Sequence, residues 1–247
     1  MSTNYNQPAN NSLSDSKLPP REISAGVNYK YYDIIGALFV AVLIISNIAS
    51  AKVASVAGFN FDGGTILFPI SYIFGDVLTE VYGYKKSRRI IWTGFLCLTV
   101  MALTLAAVQY LPAAADWPNQ GAYEAVIGFV PRIVLASMLA YWAGEFTNSY
   151  ILAKMKIWTA GKKLWSRTIG STIIGEGVDS VIFSIIAFYG TMPISALLNL
   201  IGTIYVFKVA YEVLATPLTY KIISFLKRKE NEDYYDKDTN FNPFSVS

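Results

Sequence analysis

Asp76, Glu176, Asp179 and Glu212 lie inside stretches that are otherwise apolar. Asp76 is followed by Glu80 at i+4, Glu176 by Asp179 at i+3, and Lys208 precedes Glu212 at i+4. At those spacings two side chains share one face of a helix. A charged group in the middle of a bilayer costs at least ~2.5–3.5 kcal/mol, so such residues face a cavity or a partner. Carboxylates held there accept paired N–H donors through charge-assisted hydrogen bonds. Helical phase adds rings to the acids. Tyr72 joins Asp76 and Glu80, Thr172 and Phe183 join Glu176 and Asp179, and Tyr205 joins Lys208 and Glu212. Rings that stack and carboxylates that accept suit a flat, nitrogen-rich base.

Other polar residues in apolar stretches complete the candidate set: Asn47, Lys52, Arg132, Glu145 and Asn148. Several have two readings. Lys52 lies near the end of its stretch and either snorkels to the interface or faces inward. Glu80 and Glu145 lie near ends where water reaches them. Lys208 and Glu212 could pair within one helix, and Arg132 could neutralise an acid purely for packing. Arg132 and Glu145 are turned about 220° apart on a helix and serve different surfaces. Taking Lys52, Asp76, Arg132, Glu176, Asp179, Lys208 and Glu212 together gives four acids against three bases. A bound proton would balance that excess.

The elements that position these residues are membrane helices. Of 247 residues, 53% are hydrophobic and only 15% charged, outside the range of an ordinary soluble domain. Each span needs roughly 20 apolar residues. Six are expected, over about 31–56, 65–83, 90–110, 123–150, 168–190 and 194–224, with Pro69 interrupting the second. The fold class is therefore all-α, a polytopic membrane protein with six transmembrane helices. Residues 1–29 are expected to be a disordered cytoplasmic leader without a signal peptide, 30–226 the transport domain, and 227–247 a cytoplasmic tail. Lys and Arg crowd the expected loops 84–89 and 151–167 and the C-terminal segment, and are absent from 57–64, 111–122 and 191–193. The positive-inside rule then puts both termini in the cytoplasm of a multi-pass protein of the cell membrane. The net charge of +3 reflects those loops, with no direct nucleic-acid partner. Trp158 and Trp165 in "KIWTAGKKLW" suit the inner interface. "YIFGDVLTE" and "TIIGEGVDS" echo each other, Gly75-Asp76 against Gly175-Glu176; a three-plus-three inverted repeat produces such pairs.

The chain has no histidine and a single cysteine, Cys97. That removes the commonest general base and any Cys-rich metal site. No metal, cofactor or enzymatic activity is expected. No GxxxxGK[ST] phosphate loop occurs, so transport is facilitated, ion-coupled or driven by a partner.

"SNIASAK", "FPISYIFGDVLTEVYGYKKSRRII", Arg132, "GKKLWSRTIGSTIIGEGVDS", and Lys208 with Pro217 together resemble the queuosine precursor transporter family, of the vitamin uptake transporter type. The resemblance spans roughly residues 30–225. It departs from the family pattern at Glu145 and Asn148, where Gln and Asp are common. It implies six membrane helices and import of 7-deazaguanine bases, 7-cyano-7-deazaguanine or its aminomethyl relative, for queuosine synthesis in tRNA. The expected partners are thus a small 7-deazapurine substrate and the lipid bilayer, with a homodimer as a further expectation. The alternative is a substrate-binding subunit of an ATP-driven vitamin importer, for which Ala37 and Ala41 would form a small-residue packing face.

Overall fold

The computed structural model describes residues 29–158 and 164–231, without the side chains at 72, 145, 146, 149, 150, 152–158 and 164–168. The expected leader, most of the tail, and the interfacial reading of Trp158 and Trp165 lie outside the described residues. The described residues are mostly helical: α1 (Tyr32–Ala49), a β-hairpin of β1 (Val53–Val56) and β2 (Phe59–Asp62), α2 (Phe68–Tyr82), α3 (Tyr84–Gln109), α4 (Gln120–Ile127), α5 (Val130–Trp158), α6 (Leu164–Phe188) and α7 (Ile194–Glu230). Among the described residues, five stretches are long and apolar enough to cross a membrane: α1, α3, Gln120–Gly144, Ile169–Phe188 and α7. At 15 residues, α2 spans only about 22 Å, short of the ~30 Å hydrocarbon core. The molecule is an all-α, polytopic membrane protein.

Four expectations need correction. The first helix stops at Ala49 rather than running to 56. Its continuation folds back as the hairpin because Asp62 gathers the polar groups there. Asp62 is buried, and its carboxylate accepts from Ser50 Oγ at 2.5 Å, Gly64 N at 2.9 Å and Thr65 Oγ1 at 2.7 Å. The hairpin turns at Ala57-Gly58, both at positive φ, as a two-residue turn of the primed class demands.

Pro69 does not interrupt the second span. It occupies the first turn of α2, where its missing N–H has no intrahelical partner to lose. Residues 84–89 are not a loop. They form the start of α3, divided from α2 by Gly83 alone, at φ 86 and ψ 160. That region is open essentially only to glycine. Two of the expected loop residues, Ser87 and Arg88, are consequently buried. The fourth span is broken into α4 and α5 around Gly128.

The hydrogen bonds define two ends of the bundle. At one, the Glu230 carboxylate accepts from the backbone N–H of Lys30 and Tyr31 at 2.8 and 2.7 Å and from Tyr82 OH at 2.9 Å. This joins the start of α1, the end of α2 and the end of α7, which runs on through residues 227–230 before an αL cap at Asn231. Tyr29, Tyr32 and Tyr82 pack ring against ring in the same place. At the other end, Asn199 near the start of α7 bonds Asn60 N and Gly58 O of the hairpin. Arg132 caps α6 there, donating to Ile186 O at 2.6 Å and Tyr189 O at 2.7 Å. Lys85, Lys86, Arg88, Arg89, Lys227, Arg228 and Lys229 all belong to the Glu230 end.

One apolar core lies among α1, α2, α3, α5 and α7, including Phe39, Leu78, Leu98 and Val130. A second joins α5, α6 and α7 through Ile133, Ala140, Phe188 and Leu200. The polar cavity described next is walled by α2, α5, α6 and α7.

Candidate functional site

The site begins with two glycines. Gly144 of α5 and Gly175 of α6 let the two backbones touch. A Cβ on Gly175 would meet Asn148 Cβ at 2.8 Å and Gly144 O at 3.0 Å; one on Gly144 would meet Asp179 Cβ at 2.9 Å. Small residues permit such close approach between membrane helices. The contact fixes the height of Asn148 on one helix against Glu176 and Asp179 on the other.

Around it lies a polar cavity of about 80 Å³. Asp76 enters from α2; Tyr141, Gly144 and Asn148 from α5; Thr172, Gly175, Glu176 and Asp179 from α6; Glu212 from α7. Carboxylates from three helices thus converge on one space. Behind them Lys208 of α7 is buried, ion-paired with Asp179 and 3.4 Å from Glu176 Oε2. Its ammonium also stands 4.9 Å from the centre of the Phe68 ring. Thr172 Oγ1 donates to Glu212 Oε1 at 3.0 Å. Lys208 and Glu212 are therefore each engaged with α6. Asn148 Oδ1 is buried without a hydrogen-bond partner among the described residues, and Glu176 Oε2 has the long 3.4 Å ion pair to Lys208 but no hydrogen bond. Buried polar atoms left in that state are costly, and a donor-rich ligand would satisfy both. Ser180 and Ser184 Oγ share the same condition; at i+4 and i+8 from Glu176 they carry a polar line along α6.

Of the residues singled out in the sequence, the fold brings together Asp76, Asn148, Glu176, Asp179, Lys208 and Glu212. Four it places elsewhere. Asn47 is buried between the Leu43 carbonyl and Ser137 Oγ. Lys52 is exposed in the turn before β1. Arg132 is spent on the carbonyls that end α6. Glu80 is largely exposed and pairs with Lys227 at 2.6 Å. The side chains of Tyr72 and Glu145 lie outside the described residues. Removing Lys52 and Arg132 from the neighbourhood changes its charge. Among the described residues, four cavity carboxylates stand against one ammonium, Lys208.

Thr172 was read on the Glu176 stripe; the sequence reading passed over Tyr141, Gly144, Ser180 and Ser184. Tyr141, Gly144 and Asn148 follow i, i+3, i+7 and were legible as one helix face. The serines carry no charge and merge with the small residues of any membrane helix.

The family model described as "Putative vitamin uptake transporter" matches residues 62–222, a stretch that holds every residue lining the cavity. The chain belongs to the vitamin uptake transporter family. It is a membrane transporter, not an enzyme. Among curated relatives, the "Probable queuosine precursor transporter" of Bacillus subtilis is 28% identical over 72% of this chain and 78% of its own length. The "Queuosine precursor transporter" of Escherichia coli is 24% identical over 65% and 70%. The "Probable queuosine precursor transporter" of Haemophilus influenzae is 23% identical over 53% of each. No solved structure matches. Within the vitamin uptake transporter family, then, this chain presents an acid-lined cavity between four helices.

Proposed function

We propose that this transporter imports queuosine precursors, 7-deazaguanine bases carrying a cyano or aminomethyl group, into the cytoplasm. The observation that carries the reading is the convergence of Asp76, Glu176, Asp179 and Glu212 on one cavity, in a chain whose relatives bear that substrate in their names. A deazaguanine offers adjacent N1–H and exocyclic N–H donors. One carboxylate accepts both, a bidentate charge-assisted match. The Asn148 amide and the Tyr141 ring supply a further polar contact and a stacking face. With carboxylates in excess over Lys208, a second acid suits the aminomethyl cation, whereas the neutral cyano base leaves the excess for a proton.

The cavity at about 80 Å³ is well below the ~300–1,000 Å³ of a typical ligand pocket. On this reading the walls must part to admit the base. The start of α1 and the end of α7 meet at the end that carries the basic cluster, which supports the cytoplasmic assignment of leader and tail under the positive-inside rule. Reconstitution tests the reading: purified protein in liposomes should take up labelled deazaguanine without any ATPase. Uptake that requires an added ATPase complex would favour the binding-subunit alternative, and absence of deazaguanine binding would remove the proposal.

A further inference from the structure

On the side of the molecule formed by α1, α2 and α7 runs a groove of about 560 Å³, lined almost wholly by apolar side chains including Ile73, Phe74, Leu218 and Phe225. Its α7 wall, from Tyr211 to Leu226, is about 22 Å long, more than the roughly 15 Å of one leaflet's hydrocarbon. The groove is not apolar throughout. Lys221 lines it toward the Glu230 end. Among the described residues no carboxylate lies within ion-pair distance of Lys221. Two further lysines stand over rings that line the same groove: Lys30 at 5.4 Å from the centre of Tyr31, and Lys229 at 5.9 Å from that of Phe225. The apolar groove thus carries Lys221 in its wall and two further ammonium groups beside its rings at the Glu230 end, where the Glu230 carboxylate is already held by Lys30 N, Tyr31 N and Tyr82 OH.

We infer that this groove is a binding site for an anionic phospholipid of the inner leaflet. One acyl chain lies between α2 and α7, and the phosphate meets Lys221, Lys30 and Lys229. Basic pockets between helices on the cytoplasmic side recognise anionic headgroups in this way, each cation near the surface contributing about 1 kcal/mol. The charge pattern decides against a second copy of the chain as occupant, since a twofold contact would bring two identical sets of lysines together.

The test uses the full-length purified protein, delipidated in detergent and titrated with phosphatidylglycerol or with phosphatidylcholine of the same acyl chains, read by native mass spectrometry. The expected result is phosphatidylglycerol bound at least about fivefold more tightly. Lys221→Ala should weaken phosphatidylglycerol about fivefold and phosphatidylcholine, whose choline offsets its phosphate, distinctly less, so that the preference narrows. Leu218→Trp, which fills the groove from an exposed position, should weaken both. Equal affinity of the wild type for the two lipids, or a Lys221→Ala variant that keeps full preference, would overturn the assignment. So would a two-copy mass that Leu218→Trp converts to one copy, which would give the groove to a dimer.

Discussion

Asp76 and Glu80 lie one helical turn apart, yet they meet different surroundings. Asp76 lines the cavity, while Glu80 reaches outward to Lys227 and stays mostly in solvent. An exposed pair of that kind contributes ~0–1 kcal/mol. Glu80→Gln is therefore expected to bind a deazaguanine within about fivefold of wild type. Asp76→Asn replaces an acceptor with a donor and should lose about ten- to hundredfold, the worth of one charge-assisted bond; titration of both variants with the same base checks this. Arg132 makes a parallel case. Its guanidinium holds two backbone carbonyls at the end of α6, so Arg132→Ala should lower the melting temperature in detergent while leaving substrate affinity in the folded fraction unchanged. A loss of affinity without a loss of stability would return Arg132 to the transport path. The residue types were legible in the sequence: of the acids picked out in apolar stretches, Asp76, Glu176, Asp179 and Glu212 line the cavity, whereas Glu80 does not. Glu80, Lys52 and Arg132 were not separable from them, because their partners, Lys227, solvent and the α6 carbonyls, are supplied by the fold.

At the scale of elements, the cavity depends on how closely α5 and α6 approach. Gly175→Ala puts a methyl 2.8 Å from Asn148 Cβ and 3.0 Å from a backbone oxygen, which only a shift of one helix relieves. Gly177→Ala on the same helix meets only Tyr205, at 3.6 Å, an ordinary contact. Gly175→Ala should lower both thermal stability and uptake, and Gly177→Ala neither. A Gly175→Ala protein that melts and transports like wild type would show that the helix contact does not set the cavity. Apolar runs and loop charge located the helices, but their ends were less legible. Span 1 was read seven residues too long because "ASAKVASV" is as apolar as a helix terminus; the buried Asp62 that turns it into a hairpin acts from twelve residues further on. The basic run after Gly83 looked like a loop by charge, whereas the backbone change is confined to Gly83 itself. The echo between "YIFGDVLTE" and "TIIGEGVDS" gains meaning from the fold, since Asp76 and Glu176 come from different helices to the same cavity.

For the whole molecule, the Glu230 carboxylate links the start of α1 to the ends of α2 and α7. We expect a reporter active only outside the cytoplasm, fused after Ser247, to be silent; activity there would reverse the orientation proposed for the bundle and its lysine-rimmed groove. The central claim is that the acid-lined cavity between α2, α5, α6 and α7 carries a 7-deazaguanine base. Its most direct test is uptake of radiolabelled 7-aminomethyl-7-deazaguanine into liposomes holding only the purified protein, wild type beside Asp76→Asn. The account expects saturable uptake by the wild type, competed by unlabelled base and not by adenine, and a loss of at least about tenfold in the variant at equal protein insertion. Equal uptake by the two proteins, or none above empty liposomes by either, would contradict it.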